Sequence, residues 1–290
     1  MKAIEFRRIL CPINFAEGSR RTVEGASVLA AMYDAELRLF HVACGGRRGR
    51  DEESRDAESL ISSLFALTHT LPERTRVSAA LSHGDPTSEI IQHARLMRAD
   101  LIVLGSERRS MPADVRRTIA ADIATHAGCP VLYVRPHLLP SLSQKAPGFT
   151  EILCCVDPAS GARALDDYAN ALAHRDHARV TLLNVVGADE DTSESPRETA
   201  TDVNTHRNVV QVSLTGQAGP EVVALAKQIR ADLIVVGAQD EGSPERTLGS
   251  TTAHLLVYAP CPVLIVPRAR TAFPMTSNRL GAEDAKRISQ

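Results

Sequence analysis

A chain of 290 residues with 43% hydrophobic content has the size of about two domains and ample material for a core. Lys and Arg number 33 against 35 Asp and Glu, a net charge of −2, which excludes the basic surface of a nucleic-acid binder. Only 3% of residues are aromatic and Trp is absent, so the core must be aliphatic, and no apolar run approaches the ~20 residues of a membrane span.

Taken in order, the chain first predicts strands at 8–14, 36–43, 75–82, 100–105 and 130–135. Helices fall between them near 18–33, 53–70, 86–98 and 113–127. In the second of these gaps, Leu60, Ile61, Leu64, Phe65 and Leu67 are spaced along one helix face. Residues 136–149 are rich in Pro and Ser and read as a linker. The same pattern then begins again.

An internal repeat accounts for the second half. Arg8-Ile9-Leu10-Cys11 aligns with Glu151-Ile152-Leu153-Cys154 at an offset of 143, which holds to Val42 and Val185. The offset then becomes 132, matching Gly84 with Gly216, Glu89 with Glu221 and Gly105 with Gly237. It also matches Ala99-Asp100-Leu101-Ile102-Val103 with Ala231-Asp232-Leu233-Ile234-Val235, and Cys129-Pro130-Val131-Leu132 with Cys261-Pro262-Val263-Leu264. The second copy is 11 residues shorter between its second and third strands. There the polar segment 187–206 replaces the amphipathic helix and reads as a mobile loop. Residues 268–290 read as a disordered tail. Strands alternating with amphipathic helices predict an α/β fold, with a doubly wound parallel sheet in domains 1–135 and 150–267.

One stretch concentrates the chemistry. From Ala231 to Pro267 the chain reads buried strand, Gly237, polar loop, Gly249-Ser250, short helix and a second buried strand. A strand, a glycine-punctuated loop and a helix N-terminus form an anion cradle, in which backbone N–H groups and the helix dipole favour negative charge. An ordinary βαβ crossover uses the same parts, and at this point both readings stand.

The six cysteines match no zinc spacing, and Cys11, Cys129, Cys154, Cys155 and Cys261 fall in or beside buried strands. They read as small buried hydrophobes. His174 and His177 stand three apart, without a partner at a ligand spacing; these and His41 read as surface or packing histidines. The first fifteen residues interleave charge with every apolar run, so no signal peptide is expected and the cytoplasm is the expected location.

The opening Ile-Leu-Cys-Cys-Val-Asp strand, Gly84-Asp85-Pro86, the Ala-Asp-Leu-Ile-Val-x-Gly strand and the Cys-Pro-Val-Leu-x-Val strand together resemble the universal stress proteins. Because the ordered set occurs twice, the chain resembles a tandem member. The resemblance implies two flavodoxin-like, five-stranded domains whose final strands, Val131–Val134 and Val263–Val266, pair antiparallel as an intramolecular pseudo-dimer. It also implies a site for ATP or another adenine nucleotide, with magnesium accompanying it, at the carboxyl ends of the strands. The family signature there is Gly, two residues, Gly, nine residues, Gly, then Ser or Thr.

Carried over position by position, the second copy keeps most of that signature. Asp157 matches the acid beside the adenosine and Val185 the strand position whose backbone reads adenine. Gly237 matches the first glycine, while Gly249, Ser250 and the following Thr251 match the phosphate end. Asp240 replaces the middle glycine and the loop is one residue short, although Gly242 stands nearby. A carboxylate facing a polyphosphate is repulsive, by about 1 kcal/mol at ~4 Å in water and more in a cleft. Two bland readings stay open: Asp157 as a helix N-cap, and Gly249-Ser250 as a plain cap.

The first copy has drifted further, with Asn14 for the acid, Arg108 for the middle glycine and Arg117-Thr118 for Gly-Ser. No nucleotide is expected in that half. Its Arg108, Arg109, Arg116 and Arg117 read as a solvated loop more readily than as an anion site.

No nucleophile elbow, catalytic carboxylate pair or Walker lysine is present, so an enzyme is not expected. The reading is a stress-response regulatory protein whose second domain binds an adenine nucleotide. Its alternatives are an interaction module of the same fold without nucleotide, or a weak ATPase. The partners left open are the nucleotide, an unidentified protein and a second copy of the chain.

Overall fold

The computed structural model describes residues 6–15, 17–43, 75–105, 113–135, 148–156, 163–187, 209–239 and 247–267, with residues 59, 62, 63 and 66. The first half runs β1 (Arg8–Ile13), α1 (Glu17–Tyr33), β2 (Glu36–Ala43), β3 (Arg76–His83), α2 (Pro86–Leu96), β4 (Leu101–Gly105), α3 (Ala113–His126) and β5 (Val131–Val134). The second runs β6 (Glu151–Cys155), α4 (Arg163–Asp176), β7 (Arg179–Val186), β8 (Val209–Thr215), α5 (Ala218–Gln228), β9 (Leu233–Gly237), α6 (Ser250–Tyr258) and β10 (Val263–Val266). The expected helix over 53–70, the loop over 187–206 and the tail over 268–290 lie largely or wholly outside the described residues.

All ten strands join one sheet, in the order β3-β2-β1-β4-β5-β10-β9-β6-β7-β8. Pairing is parallel within each half. At the centre β5 and β10 run antiparallel, with Leu132 opposite Leu264. The expected intramolecular pseudo-dimer is therefore a single continuous sheet. Val131, Leu132, Val134, Val263, Leu264, Ile265 and Val266 are all at most 3% exposed, as strands covered on both faces require.

Alternation along the strands feeds two cores. Ile9, Cys11 and Ile13 face α1 and α4, packing with Val23, Ala26, Leu29, Tyr168, Ala169 and Leu172. Leu10, Ile102 and Ile234 face the other layer, which α2, α3, α5 and α6 cover with Ile90, Ile123, Val222 and Leu255. Both cores run through the seam between the halves. Side-chain bonds cross it as well. Arg175 of α4 stacks its guanidinium 3.7 Å from the ring centre of Tyr33 and donates to the Met32 carbonyl, both at the end of α1. On the opposite face Arg135 donates to the Val257 carbonyl.

The duplication extends to backbone torsion. Asp34 and His177 follow the first helix of each half at φ 48 and 55, and Arg98 and Arg230 follow the third-strand helix at φ 51 and 54. Each left-handed residue lets the next amide bond back to the helix. Ala35 bonds Ala30, Ala178 bonds Ala173, Ala99 bonds Ala94 and Ala231 bonds Ala226, at 2.8 to 3.1 Å. Gly84-Asp85-Pro86 also resolves physically: Asp85 caps α2 by accepting from the Ser88 amide at 2.9 Å, and Pro86 opens the helix.

The halves differ beneath α2. His93 lies flat on Phe40, ring centres 4.1 Å apart at 13°, with Nε2 buried and without a hydrogen-bond partner. The matching pair in the second half is Leu225 and Leu183. Burial first, then the nearby Arg38 charge, lowers the His93 pKa from 6.5 against a small opposing effect of Glu89. A lowered histidine gives stability that is present above 6.5 and lost as pH falls through its folded-state value, because only the unfolded chain takes the proton. His93→Leu should flatten that acid-side loss below pH 6.5. Urea midpoints for both proteins between about pH 5 and 7.5 check this; equal acid slopes would refute it.

Candidate functional site

In parallel halves the strand carboxyl ends share one edge, and in doubly wound sheets ligands occupy the crevice where strand order reverses. In the second half that crevice lies beside β6, between β9 and β7. Cys154 pairs with Val235 and Cys155 with Leu183, so Gly237 and Val185 come level with the chain just beyond β6. The structure thus brings Val185, Gly237, Gly249, Ser250 and Thr251 to one edge. Asp157 lies outside the described residues, as do Asp240, Glu241 and Gly242.

Three features shape the mouth. Among the described residues, a Cβ at Gly237 would meet nothing nearer than the Gln239 carbonyl at 3.8 Å and Leu165 Cδ1 at 3.9 Å, so none of them blocks approach to the backbone there. Gly249 caps α6 with extended torsions (φ −60, ψ 148) and no side-chain cap bond. The first-turn amides of a helix have no carbonyl four residues back to bond, and they carry its positive dipole end. Ser250 is exposed and Thr251 half-buried at that turn. Thr252 is 1% exposed, and its Oγ1 donates to the Gly237 carbonyl at 2.6 Å. Residues 238 and 249 are joined by the Gly249 amide on the Ala238 carbonyl at 3.0 Å. Val185 is half-buried and pairs with Leu214 of β8.

The first half has closed the equivalent space. A Cβ at Gly105 would fall 2.1 Å from Thr22 Oγ1, so Thr22 fills the room that stays open at Gly237. Helix α3 begins at Ala113, four residues before Arg117, which places the Gly249-equivalent position inside a helix. Asn14, in place of the strand-one acid, accepts from the Ser19 hydroxyl at 2.8 Å. The side chains of Arg108, Arg109, Arg116 and Arg117 lie outside the described residues.

Thr22 and Thr252 are the site-shaping residues that reading the sequence missed. Neither belongs to a spacing motif, and the contact that matters joins residues 83 and 15 apart in the chain.

The remaining chemistry is sparse. Cys11, Cys129, Cys154 and Cys261 are buried, Cys155 is half-buried, and none of the five is in a disulfide; burial pushes the Cys11 thiol up to about 12, far from a reactive thiolate. His41 Nδ1 lies 2.8 Å from the Ile13 carbonyl and its ring 4.8 Å from Phe15, a packing role. Among the described residues no cluster of three His, Cys, Asp or Glu is placed to hold a metal. No helix among them is long and apolar enough to cross a membrane.

Strand order and duplication together define a duplicated, doubly wound α/β protein. The universal stress protein family model matches residues 5–135 and 196–267, and the chain belongs to that family. Universal stress protein G of Shigella flexneri, and that of Escherichia coli O157:H7, are 25% identical over 144 residues, covering 45% of this chain and 99% of theirs. A universal stress protein from Archaeoglobus fulgidus DSM 4304 superposes with a TM-score of 0.70 at 18% identity, over 92% of this chain and 98% of its own. A Pseudomonas aeruginosa UCBPP-PA14 protein gives 0.59 at 17% identity, over 90% and 93%. These two span both halves, so the tandem fold itself is shared.

Proposed function

We propose that the second half binds an adenine nucleotide and that the protein acts as a non-enzymatic regulator in the stress response. Phosphates sit against the Gly237 backbone and the first-turn amides at Ser250 and Thr251, with magnesium accompanying ATP. The base and ribose lie toward Val185 and Asp157. Occupation of this site orders the 238–248 loop and so changes a surface that a protein partner reads.

One observation supports the reading: no described residue crowds the backbone at Gly237, beside a helix whose Gly249 cap has no side chain, while its duplicate at Gly105 is filled by Thr22. A cradle that a Cβ would block suits a phosphate, and the second half has kept that space clear.

Calorimetry on the full chain with ATP, ADP and AMP should give one nucleotide per chain. Gly237→Val should weaken ATP about ten-fold or more by closing the approach. Two nucleotides per chain, or unchanged affinity in the variant, would overturn the placement. Asp240 at the middle-glycine position favours a second reading, an interaction module without nucleotide. Absence of heat with all three ligands, and of retained nucleotide by native mass spectrometry, would establish that instead.

A further inference from the structure

The Gly237 carbonyl stands where β9 outruns its neighbour. Pairing between β6 and β9 ends at Cys154 opposite Val235, two residues short of Gly237. A carbonyl left at that place needs a donor, and it is an acceptor at the mouth of a site meant for anions. The Thr252 hydroxyl takes it at 2.6 Å. The same turn is held from other directions. Gly249 N–H bonds the Ala238 carbonyl at 3.0 Å, Ala238 N–H bonds Val266 of β10 at 2.9 Å, and Ala253 N–H returns to Gly249 at 2.8 Å. The helix start is thereby tied to the end of β9 and, through Ala238, to the central strand pair. The first half has Ala120 at the position of Thr252, 5% exposed and without a hydroxyl. The clasp exists only in the half that keeps Gly249-Ser250.

We propose that Thr252 is a positioning residue for the phosphate part of the ligand, an inference that rests on the nucleotide reading above. Its hydroxyl does two things. It fixes the first turn of α6 against β9, so that the amides at Ser250 and Thr251 meet the phosphates without rearrangement. It also occupies the Gly237 carbonyl, removing a partial negative charge from their path. Being buried and pointed at the strand, Thr252 does this without touching the base or the ribose. Its effect should therefore scale with the phosphates on the ligand.

The test uses the full chain and calorimetry with ATP and with adenosine. Thr252→Val preserves shape and removes the hydroxyl. It should weaken ATP about ten-fold while changing adenosine by less than about two-fold, and Thr252→Ser should restore ATP binding. A merely structural threonine would lower both ligands together; equal losses, or no loss for ATP, overturn the proposal. Amide exchange over 249–253 in the ligand-free proteins separates this from a failure of the nucleotide reading. Faster exchange in Thr252→Val supports the clasp whatever binds, and unchanged exchange refutes it. If the wild-type chain takes no nucleotide while exchange still responds, the nucleotide reading has failed and the phosphate role fails with it.

Discussion

Gly105→Ala is expected to destabilise the protein by about 2 to 3 kcal/mol, whereas Gly237→Ala, its duplicate, should change stability by less than about 1 kcal/mol. The new methyl at 105 would lie 2.1 Å from Thr22 Oγ1 and 3.0 Å from both Cβ and Cγ2 of Thr22. Rotating the hydroxyl away does not relieve this, because the Thr22 Cβ is itself in contact and fixed by its helix. Thr22 is 2% exposed, and its Oγ1 already donates to the Gly18 carbonyl at 3.1 Å, so α1 and β4 would have to part. At Gly237 the nearest atom among the described residues is 3.8 Å away, ordinary van der Waals contact. Neither glycine has a left-handed φ, so alanine is conformationally acceptable at both and the difference is packing alone. Urea denaturation of the two variants checks the contrast, and equal midpoints would refute it. Adding Thr22→Ala to Gly105→Ala should recover most of the loss, a coupling expected only between residues in contact.

What the sequence made legible is what repeats or alternates. The ten strands follow from runs such as Leu233 to Val236 and their counterparts at offsets of 143 and 132, and the β5–β10 seam follows from the family resemblance of two matching final strands. Val185, Gly237 and Gly249 lie on one edge because strand order alone takes them there. The contacts that set the character of that edge were not legible. Thr22 filling Gly105 and Thr252 bonding Gly237 join residues on different elements, and neither leaves a periodic trace. Arg117-Thr118 in place of Gly-Ser was visible in the sequence, as was a helix near 113–127, but not that its start at Ala113 removes a helix end from that place. Single-residue torsions such as that at Arg98 were equally silent, since nothing about Arg announces a left-handed position.

The aspartate of the duplicated Ala-Asp-Leu-Ile-Val strand should carry the largest polar contribution, and Asp232→Ala is expected to remove about 2 to 4 kcal/mol. Its Oδ2 accepts from the Thr150 amide and the Thr150 hydroxyl, both at 2.7 Å, and its Oδ1 from the Glu151 amide at 3.1 Å. The Asp232 amide returns the contact by donating to the Glu151 carbonyl at 2.9 Å. One carboxylate thus pins the chain entering β6 to the start of β9, and sets the register that brings Gly237 level with the end of β6. Asp100 does the same in the first half, accepting from the Arg7 and Arg8 amides at 3.0 and 2.9 Å. Among the described residues it receives two such hydrogen bonds and a long, part-exposed ion pair from Arg8 at 3.8 Å, worth less than the third hydrogen bond to Asp232, so Asp100→Ala should lose less. Asp232→Asn discriminates charge from shape. An amide NH2 at the Oδ2 position would face the Thr150 N–H, donor against donor, so asparagine should recover little of the loss. In a protein of this size each kcal/mol lowers Tm by roughly 2 to 4 °C. Calorimetric melting of Asp232→Ala, Asp232→Asn and Asp100→Ala gives the ranking. An asparagine variant as stable as wild type, or Asp100→Ala falling below Asp232→Ala, would show that the strand entry is held by something other than this carboxylate.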